Sequence, residues 1–418
     1  MGVLVRKNQG NIILTKIAKL ALVGFLTAFA ASLVDTIWAV YMQGSFEKVV
    51  SSSTAIILVG FFSAFLSIIA FFSFFFSVPF IERNNKSRLF SLSLIFYMIL
   101  YLLFAINNSP YVFAILAIGS TILTALRVTS FGIIVRDKSK QTELSRNEGV
   151  MYTLMNVAWV IGPLLAGIIS QFFGVSFIFI ISVIFTGLAL VSFNFSKIKD
   201  PNLRKKVDKH LVKNFKEFFK NKNRVMAYIL GGGISFWWAL IYLFIPMFIT
   251  NSKLPIEWVG FFMFAVAVPL ILFEYVFSKL AGKVGFKKMF KIGFFILFLA
   301  ALFCFFISDL SSVFGIKNIY VILGILALAS VGAAMCEPTA EAYFFDILKG
   351  KEELHFYGPY NTNLNTSRLI AYAIPSFILI FFPFKFVFLF FAVIMIAYFF
   401  LSFKLKEVIE KRHHHHRG

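Results

Sequence analysis

The sequence predicts an all-α polytopic membrane protein, with twelve transmembrane helices in two pseudo-symmetric six-helix bundles. Three observations predict it: an extreme apolar composition, apolar runs of membrane length with basic residues concentrated in alternate loops, and residue spacings repeated in the two halves. Apolar residues make up 60% of the 418 residues and charged ones 14%, against roughly 45–50% and about 25% in soluble domains. Mean hydropathy is +0.86, and 58 residues are Phe. No single soluble core takes up that much apolar sequence with so few charges to cover it, whereas lipid covers the outside of a membrane bundle.

A span needs about 20 mainly apolar residues. The first six candidates are 17–43, 53–79, 89–107, 110–135, 149–171 and 174–196. The other six are 225–250, 257–278, 290–308, 318–345, 357–383 and 385–403. Ala28-Phe29-Ala30 has the look of a signal-peptidase site, but the apolar run continues to Tyr41, which fits an uncleaved first span. Twelve spans put both termini on one side. With the termini inside, inside segments hold 34 of the 40 Lys and Arg. The outside loops hold only Lys48, Lys253, Lys317 and Lys385, while Arg127 and Arg368 lie within spans. Basic residues stay cytoplasmic, so both termini and the middle of the chain are expected in the cytoplasm, and the protein in the plasma membrane.

The middle stretch, Ile198 to Arg224, carries 10 Lys or Arg against three acids. Alone it reads as a nucleic-acid patch. The positive-inside distribution accounts for its charge, so no nucleic acid is expected. Asp200-Pro201-Asn202 ends span 6. Leu211, Val212, Phe215, Phe218 and Phe219 then share one helical face, with Lys213, Lys216 and Lys220 off it. An amphipathic helix on the anionic lipids of the inner leaflet is predicted. The expected domains are a bundle over 1–197, this linker over 198–224, a second bundle over 225–405 and a cytoplasmic tail over 406–418.

Enzyme chemistry finds little support. Cys304 and Cys336 sit in apolar runs without disulfide or metal-ligand spacing. Only His210 and His355 lie outside the His413–His416 tail, which reads as a tag or solvated tract rather than a metal site. No phosphate-cradling glycine loop is present. The expectation is no metal, no cofactor, and a monomer that takes a small-molecule substrate.

The halves echo each other. Asp137 is followed by Gly149 and Asn156, and Asp346 by Gly358 and Asn365, at equal spacings after spans 4 and 10. Such repetition points to an internal duplication. With it, the chain resembles the major facilitator superfamily. The family's loop motif after span 2, G-x-x-x-D-R-x-G-R-R, is matched by Glu82-Arg83 and Lys86, with Val78 and Asn85 in place of glycines. Its second copy keeps Lys283, Gly285, Lys287 and Lys288, with Gly282 where the acid stands. Leu123 and Arg127 match the span-4 motif, and Phe131 replaces its glycine. The span-5 motif of drug–proton antiporters is matched by Gly149, Gly162, Pro163 and Gly167, with Ala158 and Ala166 substituting. The resemblance implies alternating access, spans 3, 6, 9 and 12 towards lipid, and spans 1, 4, 7 and 10 around a cavity.

Charges within spans are the sharpest signal, because each costs about 2.5–3.5 kcal/mol at mid-membrane. They are Asp35, Arg127, Glu274, Glu337, Glu341 and Arg368. Glu337 precedes Asp346 by nine residues, and Arg127 precedes Arg136 by nine, which places both near the midplane at about 1.5 Å per residue. Glu337 and Glu341 share a helix face. Two carboxylates so close resist ionising together, which suits a proton carrier. Asn361, Asn365 and Arg368 form a polar stripe on span 11, and Tyr152, Asn156 and Trp159 another on span 5. Trp237 and Trp238 suit stacking on a substrate cation or packing in the core. Gly231-Gly232-Gly233 loosens span 7 for gating or lets a neighbour pack closely. Asp35 with Arg127 reads as a proton-pathway pair or as a static ion pair joining spans 1 and 4, and Glu274 as a partner for cytoplasmic bases.

The expected function is proton-coupled export of small lipophilic or cationic compounds. Asp35, Arg127, Glu337, Glu341 and Arg368 form the pathway. Asn156, Trp237, Trp238, Asn361 and Asn365 line the cavity. Glu82, Arg83, Gly162, Pro163 and Gly285 form the gating motifs. The alternatives are symport of a small metabolite held by Arg127 and Arg368, and a non-transporting scaffold or lipid scramblase.

Overall fold

The computed structural model describes residues 5–8, 11–14, 16–138, 144–196, 211–348 and 352–405. Among them, twelve helices are long and apolar enough to cross a membrane. A short hairpin, β1 (Val5–Asn8) with β2 (Asn11–Leu14), precedes α1 (Lys16–Phe46), α2 (Ser52–Glu82), α3 (Lys86–Ile106), α4 (Pro110–Lys138), α5 (Leu144–Phe173) and α6 (Val175–Phe195). The linker helix α7 (Leu211–Phe219) follows. Span 7 is composite: α8 (Lys222–Ala239), a π-helical turn (Leu240–Phe244) and α9 (Ile245–Asn251). The chain then forms α10 (Glu257–Val284), α11 (Phe286–Ile307), a second hairpin of β3 (Ser312–Val313) and β4 (Ile316–Lys317), α12 (Asn318–Asp346), α13 (Glu352–Phe381) and α14 (Lys385–Ser402).

Local chemistry sets several boundaries. Ser51 caps α2 by accepting from the Thr54 N–H. Asn85, which stands where the family motif has glycine, caps α3 by accepting from the Arg88 N–H at 2.7 Å. Gly285 opens α11 at φ +88°, a backbone conformation that favours glycine.

Contacts divide the chain into two compact units. Unit 1 comprises residues 1–209 and 242–264, and unit 2 comprises residues 210–241 and 265–418. In unit 1, α1 is the central helix. Of its most apolar stretch 72% is buried, against 22–39% in α2–α6. It packs on α5 and α6, over a core that includes Leu20, Val23, Phe90, Phe131, Ile134 and Phe193. In unit 2, α8 packs on α12, α13 and α14, and α11 packs on α12 and α14. Gly231, Gly232 and Gly233 permit the approach of α8. A Cβ would come within 2.7 Å of Asn363 Nδ2 at Gly231, and 2.8 Å of the Phe294 ring at Gly233. At Gly232 it would overlap Ser367 Oγ. The triplet therefore serves close helix packing. Outward faces carry bare aromatics such as Phe72, Phe76 and Phe172, the surface that lipid covers.

The linker helix departs from expectation. Its apolar face was expected on the inner leaflet, yet Phe218 is fully buried. Its ring lies among Tyr228, Phe344 and Phe356 at centroid distances of 6.0, 6.4 and 6.0 Å. An amphipathic face presents the same pattern to lipid and to protein, and here unit 2 supplies an aromatic pocket that takes Phe218. Phe219 stays partly exposed. The Asp200-Pro201-Asn202 break and the His413–His416 tail lie outside the described residues.

Candidate functional site

Each unit carries a polar cluster with charged residues inside its spans. In unit 2, Glu337 on α12 is half-buried. Trp238 on α8 hydrogen-bonds to it, and Glu274, Glu341 and Arg368 are near enough to act on it electrostatically. One turn further along α12, Glu341 is exposed, as is Arg368 on α13. The Glu337 Oε2 atom is buried without a hydrogen-bond partner. A buried polar atom without a partner is costly, which singles this oxygen out within the cluster. Glu274 belongs to this cluster rather than only to the bases at the helix end. Among the described residues no cluster of acids, His and Cys has metal-holding geometry.

The flanking residues divide. Trp238 is half-buried. Trp237, expected to line a cavity, is fully buried and its indole N–H has no partner, so it belongs to the packing of α8. On α13, Asn361 is exposed but Asn365 is buried. The stripe of Asn361, Asn365 and Arg368 is therefore only partly open. Sequence reasoning missed the polar seam between α8 and α13, where Tyr228 hydroxyl meets Thr366 at 2.9 Å and Thr362 at 3.2 Å.

In unit 1, Arg127 on α4 donates to the Thr27 carbonyl of α1 at 3.4 Å and lies 4.8 Å from the centroid of the Tyr97 ring. Its Nε is buried without a partner. Asp35 on α1 is exposed, and both charges act on Tyr97 and Tyr101. These two tyrosines, four apart on α3, were missed because span 3 carries no formal charge. Tyr97 hydroxyl donates to the Ser120 carbonyl at 2.9 Å and also pairs with Thr124. Asn156 on α5 is exposed.

Two further features of unit 1 join its helices. A Cβ on Gly162 would overlap Ser32 Oγ, and Ser32 itself donates to the Ala158 carbonyl at 3.0 Å. Where α5 meets the start of α10, a Cβ on Gly167 would lie 2.7 Å from Gly260 Cα. A Cβ on Gly260 would lie 2.5 Å from the Pro163 carbonyl oxygen. Nearby, Gln43 donates to Glu47 at 2.7 Å, Ser52 donates to Glu47 at 2.6 Å, and Asn251 donates to Gln43 at 3.3 Å. This network ties the ends of α1 and α9 to the start of α2.

The loop motif after α2 forms a buried ion pair. Lys86 Nζ lies 2.5 Å from Asp137 Oδ2, and their side chains are 7% and 6% exposed. Arg83 is exposed, and the Glu82 side chain lies outside the described residues. Lys86→Ala removes one ion-pair partner from a buried carboxylate, so it should destabilise by up to about 3–5 kcal/mol. Adding Asp137→Ala should restore part of that loss. Thermal unfolding of the single and double variants in detergent checks this; strictly additive losses would deny the coupling.

The family described as Major Facilitator Superfamily matches residues 20–327 and 258–418. An uncharacterised MFS-type transporter of Methanocaldococcus jannaschii is 25% identical over 207 residues, 48% of this chain and 53% of that protein. The chain thus spans about half the length of this curated relative. The solved nucleoside transporter NupG superposes with a TM-score of 0.73 at 12% identity, covering 94% of this chain and 100% of that one. A peptide transporter POT in complex with sulfate gives 0.73 at 14%, covering 95% and 94%. At these identities the structures show a shared fold.

Proposed function

Because the chain belongs to the major facilitator superfamily, and is a multi-pass, non-enzymatic membrane transporter, we propose that it exchanges protons for small lipophilic cations, exporting them by alternating access. The observation that carries this reading is the buried, unsatisfied Oε2 of Glu337 beside Glu341, Glu274 and Trp238. A carboxylate there is stabilised by a proton or by an organic cation, and the two compete for it. Trp238, already bonded to Glu337, offers an aromatic face for the cation. Competition for one group is sufficient to couple the two fluxes. Glu341, exposed one turn away, passes the proton to or from water, and Arg368 offsets part of the negative charge of the cluster. Asp35 and Arg127 serve unit 1, with Arg127 fixing Tyr97 and the backbone of α1.

The same proposal includes a plasma-membrane location with both termini cytoplasmic, since 34 of the 40 Lys and Arg fall on that side. It also includes a monomer of two six-helix bundles joined by the 198–224 linker, whose exposed Lys213, Lys216 and Lys220 meet anionic headgroups. Everted vesicles carrying the protein and a pH gradient test the function. Lipophilic cations should dissipate the gradient on addition, and a full panel without response would remove the reading. One observation favours a second reading, symport of a small anionic metabolite: the partnerless Nε of Arg127. In that case anions, not cations, would move protons in the same vesicles.

A further inference from the structure

We infer that the hairpin between spans 9 and 10 inserts its tip, Phe314, into the membrane interface as a lipid anchor. Ser312 pairs with Lys317 and Val313 with Ile316, which leaves Phe314 and Gly315 as a two-residue turn. Both have positive φ, +50° and +79°. This is the turn that asks for Asn-Gly, because a bulky side chain is strained there. Phe occupies the first position and is fully exposed, at 101%. In water that choice is unfavourable twice, in backbone strain and in bare aromatic surface. Both costs are offset if the ring enters an apolar medium.

Lipid is the occupant that position selects. The hairpin lies between the end of α11 at Ile307 and the start of α12 at Asn318. Phe314 lies four positions before Asn318, so its Cα stays within about 13 Å of a spanning helix. Phe303 and Phe306 on the end of α11, then Leu310 and Ile316, are also exposed. They make the tip continuous with the lipid-covered face of α11. Lys317 at the base of the hairpin is exposed and suits headgroup phosphates. Aromatic rings over a basic residue are the composition of a membrane-interface anchor.

The test places a dye at the tip. Cys304 and Cys336 are buried, so Phe314→Cys in the full chain takes an environment-sensitive maleimide selectively at the tip. Lys317→Cys serves as the control at the hairpin base. In proteoliposomes the dye at residue 314 should emit to the blue of its value in buffer. It should be quenched by lipids brominated near the headgroup and be insensitive to aqueous iodide. Phe314→Asn, which suits the turn better, should retain the fold while a Trp at the same position (Phe314→Trp) repeats the lipid quenching. Emission as in water with full iodide quenching overturns the inference. So does quenching that rises with protein density at constant lipid quencher, which would make a second copy of the chain the occupant.

Discussion

Glu337→Gln abolishes proton-driven transport while leaving the protein folded. Gln keeps the shape and the acceptor oxygen but cannot exchange a proton. Gradient-driven flux should fall at least about tenfold, equivalent to ~1.4 kcal/mol or more. Stability should move the other way or stay put. The Oε2 of Glu337 is buried and unsatisfied, and an amide avoids the cost of an intramembrane charge, about 2.5–3.5 kcal/mol on insertion scales. The pair of readouts separates the proposed role from a structural one. A residue held only for packing or ion pairing with Arg368 would lose stability when neutralised and keep its transport coupling. Flux in proteoliposomes and Tm in detergent, measured on the same preparation, decide between them.

Gly260→Leu has the second large effect, through packing. Its Cβ would meet the Pro163 carbonyl oxygen at 2.5 Å, Gly167 Cα at 2.8 Å and Gly167 N at 2.9 Å. All three are backbone atoms of α5, which cannot rotate aside as a side chain can. Overpacking of this kind costs roughly 1–3 kcal/mol, and the strain is relieved only if the start of α10 leaves α5. Transport should slow at least about tenfold. A cysteine introduced at Ser252, next to the Asn251 that the Gln43–Glu47–Ser52 network holds, should label faster with an impermeant maleimide. Wild-type flux and labelling in Gly260→Leu would show that this contact is not a working part of the cycle.

The twelve spans were legible because hydropathy is a local property, and lipid removes most tertiary ambiguity from it. Span 7 shows where locality ends. Leu240–Phe244 reads like any apolar helix, yet it forms a π turn, which depends on how its neighbours pack. The linker face of Phe215, Phe218 and Phe219 was visible as amphipathic, but its partner was not, since lipid and an aromatic pocket ask for the same side chains. Asn85 looked like a worn motif glycine and is a helix cap. Among site residues, Glu337, Glu341 and Glu274 stood out as acids in apolar runs. Their grouping around Trp238 needs three helices and is not written in any one of them. Tyr97 and Tyr101 went unnoticed because uncharged polar groups carry little weight in a hydropathy reading. The Ser52–Asn251 bond joins residues 199 apart, and no short-range signal announces it.

The central claim is that a proton and an organic cation compete for Glu337. Proton release on binding measures that directly. The purified protein in weakly buffered detergent, with a pH-indicating dye, is titrated with a lipophilic cation whose binding is followed in parallel. The wild type should release protons in step with saturation, and Glu337→Gln should bind with no release. Binding without proton release in the wild type, or release that persists in Glu337→Gln, would contradict the account.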